Sequence, residues 1–108
     1  MEKKDINLQA SLKKLRIAAV GDIHIRSDSK FIGVENYESL NRDADILLLC
    51  GDLTNIGTIE EAHNLALLLG KLRIPVAGVF GNHDYTNDQN EDVRRILKEE
   101  GRFIFLDE

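Results

Sequence analysis

The apolar residues of this chain gather in four short blocks set apart by polar stretches of helical length. The blocks are RIAAVG (16–21), ILLLC (46–50), VAGVF (76–80) and RFIFL (102–106). They carry no polar–apolar alternation, so they read as strands buried in a sheet. Between them the pattern changes period. A weak helical stretch covers Glu35–Asp43. Thr58 and Glu61 then form a capping box, with the Thr58 hydroxyl as N-cap and the acid three positions on. Behind it Ala62, Leu65, Ala66, Leu69 and Leu72 share one face of a helix, spaced for packing on a sheet. Pro75 marks the start of the third strand. Asn90 caps a third helix, with Glu91 and Asp92 in its first turn, Val93, Ile96 and Leu97 as its apolar stripe, and Gly101 at its end. The order β-α-β-α-β-α-β predicts an α/β layer with a largely parallel sheet. Residues 1–15 have no sustained period and read as a polar N-terminal tail.

The chain has 108 residues, one domain near the small end of the usual range. With 43% hydrophobic and 31% charged residues, its composition is that of a soluble globular protein. A net charge of −5 argues against a broad electrostatic grip on nucleic acid or anionic membrane, leaving nucleic acid only as a substrate. A phosphate substrate stays compatible with it, because bound cations reverse the local field. The single cysteine, Cys50, excludes an internal disulfide and reads as a small core residue of the second strand. The apolar runs are strand-sized and the N-terminus lacks an apolar signal core, so a cytoplasmic location is the default expectation.

The exits of the first three strands are more informative. These strands run into Gly21-Asp22-Ile23-His24, Gly51-Asp52-Leu53-Thr54-Asn55 and Gly81-Asn82-His83-Asp84. Ligands of an open parallel sheet bind beyond the carboxyl ends of its strands, so the three turns are expected to converge on one crevice. Each glycine would let the chain turn sharply there. Asp22 and His24 sit two apart, so an extended backbone would point both to one side. Carboxylate with imidazole suits Mn, Fe or Zn better than calcium. Asp52 has two oxygens with which to bridge two metals, and the Asn82 carbonyl oxygen would ligate the second. Such a pair, about 3.5–4 Å apart, activates water for in-line attack at phosphorus. Singly, each motif has a plainer explanation as a polar turn or cap. Three in succession, each after a buried strand, argue against coincidence. His63, inside the second helix, follows no strand and is read as an ordinary surface histidine.

The ordered set GDIH, GDL and GNHD resembles the calcineurin-like metallophosphoesterase family, over roughly residues 16–106. The resemblance implies that Asp22 and His24 bind one metal, that Asp52 bridges, and that Asn82 binds the second of two divalent ions. It implies that His83 protonates the leaving oxygen or stabilises charge on the transferring phosphoryl group, and that Asp84 holds the His83 imidazole. The implied activity is metal-dependent hydrolysis of phosphomonoesters or phosphodiesters.

Two departures accompany it. Asn55 stands where the family has an acidic residue. The family's later histidine and Gly-His-x-His are also missing, the histidines here being His24, His63 and His83. Residues 16–108 are therefore expected to form part of the domain, the first half of a four-layer αββα sandwich. That leaves three forms open: an N-terminal fragment, a half-domain completed by another chain, or a degenerate module that no longer catalyses. A homo-oligomer formed through an uncovered sheet face is the partner expected besides the phosphoester. The reading from another class is a non-catalytic metal-binding or interaction module.

Overall fold

The computed structural model describes residues 14–26 and 37–107. Most of the predicted tail, the far part of the DIHIRSDSK loop and the first two residues of the predicted first helix lie outside the described residues. The elements are β1 (Ile17–Gly21), α1 (Tyr37–Asp43), β2 (Ile46–Cys50), α2 (Ile59–Leu69), β3 (Val76–Val79), a 3-10 turn (Asn82–Tyr85), α3 (Asn90–Glu99) and β4 (Phe103–Phe105). The strands form one sheet in the order β1-β2-β3-β4. Each adjacent pair is parallel, with Ala19 beside Leu48, Leu48 beside Ala77 and Ala77 beside Ile104.

That strand order decides which sheet face is covered. Every crossover moves one strand over in the same direction, and right-handed crossovers then lay all the helices on one side. Leu47 and Leu49 of β2, Val76 of β3, and Phe103 and Phe105 of β4 pack there against Ala62, Leu65, Ala66, Leu69, Val93, Ile96 and Leu97. The opposite face stays open among the described residues. Ile17 and Ile104 are about half exposed there, at 54% and 51%. Ala77, on the same face, is shielded because it is small and lies between Leu48 and Ile104.

Cys50 corrects the sequence reading. It is exposed, not a core residue. Strand side chains alternate faces, so Cys50 falls two positions from Leu48, on the open side. An all-apolar strand cannot reveal that only one of its faces is covered.

The capping box of α2 forms as its sequence predicts: Thr58 Oγ1 accepts from Glu61 N at 3.2 Å, and Glu61 Oε1 accepts from Thr58 N at 3.1 Å. Asn90 instead lies inside α3, whose N-cap is Gln89. His63 is exposed on α2, and its Nδ1 stands 2.8 Å from Glu100 Oε1.

Candidate metal centre

The segments that leave β1 and β2 stay paired beyond the regular sheet. His24 N donates to Asp52 O at 2.9 Å, Ile25 N to Leu53 O at 3.0 Å, and Asn55 N to Ile25 O at 2.9 Å. Ile23, Ile25 and Leu53 are buried and anchor the loops, while Asp22 and His24 between them keep access to solvent. The backbone here departs from the expected extended form. Asp22 (φ 53°), His24 (φ 52°) and Asp52 (φ 49°) all adopt the left-handed region, whereas the spacing predicts an extended conformation at the first two. Such residues cost about 1–3 kcal/mol each and persist only where surrounding contacts hold them.

The glycines also divide their work unevenly. Gly51 takes φ +82° and makes the turn that L side chains resist. Gly21 ends β1, and its turn falls to Asp22. Gly81 is extended, at φ −112°. Its contribution is space, because a Cβ there would collide with the Asp52 amide nitrogen and carboxylate.

The three exits converge. His24, Asp52 and His83 each offer a donor atom, and these atoms lie within 4.8 Å of one another. His24 Nε2 stands 3.9 Å from Asp52 Oδ2. Asp52 Oδ1 accepts from His83 N at 2.9 Å, so the bridging candidate is fixed by the backbone of the third motif. The His24 and His83 rings meet edge to face, with centroids 4.6 Å apart. Asp22 stands at the β1 exit with its amide on Gly51 O, and its carboxylate lies outside the three-residue group. Asn82 is exposed and opens the 3-10 turn.

Asp84 is fully buried. Its Oδ1 accepts from Thr54 N at 2.8 Å and Thr54 Oγ1 at 2.6 Å; its Oδ2 accepts from Leu53 N at 3.1 Å and Gly81 N at 2.8 Å. The contact expected between Asp84 and the His83 ring is replaced. His83 Nδ1 lies 2.7 Å from the Asn55 backbone oxygen. The physical reason is the 3-10 turn, which carries Asp84 back over Gly81 and into the amides of the β2 exit. Two participants carry no role in the sequence pattern: the Thr54 hydroxyl, which also accepts from Gly57 N at 3.0 Å, and the Asn55 carbonyl. The one signal for Thr54 is a hydroxyl residue after a buried leucine in a polar turn. A backbone carbonyl leaves no sequence signal at all.

The sequence model of the calcineurin-like phosphoesterases matches residues 15–107. The chain belongs to the calcineurin-like phosphoesterase family. Among curated proteins, it is 34% identical over 79 residues to the "Probable cyclic nucleotide phosphodiesterase" of Ruthia magnifica, covering 66% of this chain and 34% of that protein. It is 34% identical over 82 residues to a 3',5'-cyclic-nucleotide phosphodiesterase of a Nostoc species, covering 65% of this chain and 31% of the relative. With the "Probable cyclic nucleotide phosphodiesterase" of Fibrobacter succinogenes the identity is 30% over 82 residues, 67% of this chain and 32% of the other. The chain thus spans about a third of the length of these relatives.

Calcineurin-like phosphoesterases are metal-dependent, and the donors here fit a divalent ion. Two imidazoles and a carboxylate are the donor types that Zn, Fe or Mn accept. Ligands of such ions stand roughly 3.3 Å apart, so the three donors, 3.9 Å apart at His24 and Asp52 and within 4.8 Å overall, would draw closer to share one ion. Among the described residues, no helix is long and apolar enough to cross a membrane.

Proposed function

We propose that this chain of the calcineurin-like phosphoesterase family carries part of a two-metal site that hydrolyses phosphodiesters, with cyclic nucleotides the preferred class. The observation that carries the reading is the meeting of His24, Asp52 and His83 from three successive strand exits. In this reading Asp22 and His24 would hold one divalent ion, Asp52 would contribute to both, and Asn82 would hold the second. When bound, the ions supply a lowered water pKa and a positive clamp on the phosphoryl oxygens.

The chain's own residues do the rest. The His83 amide fixes one oxygen of Asp52, leaving the other toward His24. The Asn55 carbonyl fixes the His83 ring through Nδ1 and leaves Nε2 free; in the loaded site Nε2 would steady charge on the phosphoryl group or, once it has taken up a proton, pass it to the leaving oxygen. The cyclic-nucleotide preference rests on the names of the relatives, and an acidic chain of net charge −5 needs the cations to admit an anionic substrate. The test is metal-stimulated hydrolysis of an aryl phosphodiester and of a 3',5'-cyclic nucleotide, by a chain extended to the length of its relatives. Bound metal is quantified, with Asp52→Asn as control. Inactivity with Mn, Fe and Zn alike overturns the reading.

One observation favours a second reading, a module that pairs with another chain. The open sheet face presents Ile17, Ala19, Leu48 and Ile104 in adjacent register, and apolar surface of this kind marks an interaction site. Sedimentation of the chain would detect such pairing, and a stable monomer at high concentration would count against it.

A further inference from the structure

The contact that holds the His83 ring also suits that ring to bind a cation. His83, which the phosphoesterase reading makes a proton donor, already carries the outer contact of a metal ligand. Its Nδ1 lies 2.7 Å from the Asn55 backbone oxygen. A carbonyl oxygen only accepts, so Nδ1 carries the hydrogen and the neutral ring keeps its lone pair on Nε2. Metal-ligating histidines almost always donate their other ring N–H in this way, to a carboxylate or a backbone carbonyl. Ligating carboxylates are likewise steadied by a hydrogen bond, and Asp52 Oδ1 receives one from His83 N at 2.9 Å.

The first coordination sphere is equally prepared. One donor atom from each of His24, Asp52 and His83 falls within a 4.8 Å group that needs no residue after His83. Two of the three, His24 and Asp52, are held in left-handed backbone, at φ 52° and 49°, as positions at ligand clamps often are. Two histidines and one carboxylate with further positions open form a common donor set of catalytic zinc and non-haem iron sites.

We propose that in the substrate-free chain His83 is the third ligand of a single transition-metal ion held with His24 and Asp52. The proposal rests on the phosphoesterase reading for the place of the site, and deepens it by giving His83 a resting role. A phosphoester oxygen entering the open position would displace His83 from the ion, and its freed Nε2 would take up a proton from solvent before it could pass one to the leaving oxygen. One cation is then bound by these residues alone, independently of ligands contributed from later in the sequence.

The test uses Co(II) as the probe, titrated into the 108-residue chain and followed by its visible d–d absorption. One ion per chain is expected, with a spectrum of low-coordinate cobalt carrying nitrogen ligands. His24→Ala, Asp52→Ala and His83→Ala should each weaken binding at least about tenfold, while His63→Ala, at the remaining histidine, should leave it unchanged. Far-UV circular dichroism checks the fold, with His83→Gln replacing His83→Ala if the latter unfolds. If His24→Ala and Asp52→Ala lose cobalt but the His83 variant binds it with wild-type affinity and spectrum, the proposal is overturned and the phosphoesterase reading stands. If the wild-type chain binds no cobalt, the proposal also falls. The phosphoesterase reading is then decided separately, by the hydrolysis assay.

Discussion

Replacing Asp84 by asparagine should cost a large share of the protein's stability, although the change removes no carbon and barely alters volume. Both carboxylate oxygens are engaged by donors only: Oδ1 by Thr54 N and Thr54 Oγ1, Oδ2 by Leu53 N and Gly81 N. An asparagine amide presents one oxygen and one NH2 group. With the NH2 toward Leu53 N and Gly81 N two hydrogen bonds are lost; turned toward Thr54 it loses the Thr54 amide, while the Thr54 hydroxyl can reverse and accept from it. The residue is fully buried, so no water replaces them. Hydrogen bonds to a charged acceptor contribute about 1.5–3 kcal/mol each, and an orphaned buried donor carries its own desolvation penalty. The easier burial of a neutral side chain offsets part of this. The net loss is roughly 2–4 kcal/mol, against roughly 5–15 kcal/mol for a whole domain. Urea unfolding followed by circular dichroism measures it as a fall in midpoint at constant slope. Thr54→Val removes the hydroxyl contacts to Asp84 and Gly57 but keeps Thr54 N, so it should cost less, about 1–3 kcal/mol. A loss below about 1 kcal/mol for Asp84→Asn would refute the claim that this carboxylate ties the β2 exit to the GNHD turn.

Other outcomes rest on single contacts. Phe105→Ala, on the helix-covered face, should destabilise by about 3–5 kcal/mol. Its neighbour Ile104→Lys, on the open face, should change stability by less than about 1 kcal/mol while abolishing any self-association seen by sedimentation. Gly81→Ala drives a Cβ into Asp52, so its metal affinity, read by cobalt absorption, should fall at least about tenfold. Arg94 stacks over Phe80 and Phe105, at 4.7 and 4.3 Å from their centroids, and pairs with Asp107 at 3.2 Å. Arg94→Met keeps the stem and should lower stability by about 1–2 kcal/mol, measured in the same urea titration.

The α/β layer was legible because its strands and helices differ in period, and because Thr58 with Glu61 is a local signal that needs no tertiary knowledge. The convergence of the strand exits was legible for a topological reason, since parallel strands must all end at one edge. The hidden features are set by pairs of residues far apart in sequence. Cys50 is exposed because all the helices stand on the other face, a property of strand order and not of ILLLC. Asp84 turns away from the neighbouring His83 because the 3-10 turn aims it at amides some thirty positions earlier. The left-handed backbone at Asp22 and His24 runs against the ordinary preference of L residues and is held by the pairing of two loops. Gln89 rather than Asn90 precedes α3, a one-residue shift of the kind helix ends commonly show.

The most direct test of the central claim, that three strand exits build one cation site, is anomalous diffraction from crystals grown with Mn2+. The account predicts a peak bounded by His24, Asp52 and His83, lost in Asp52→Asn crystals of the same form. A cation seated elsewhere, with those side chains unchanged from their metal-free positions, would contradict it.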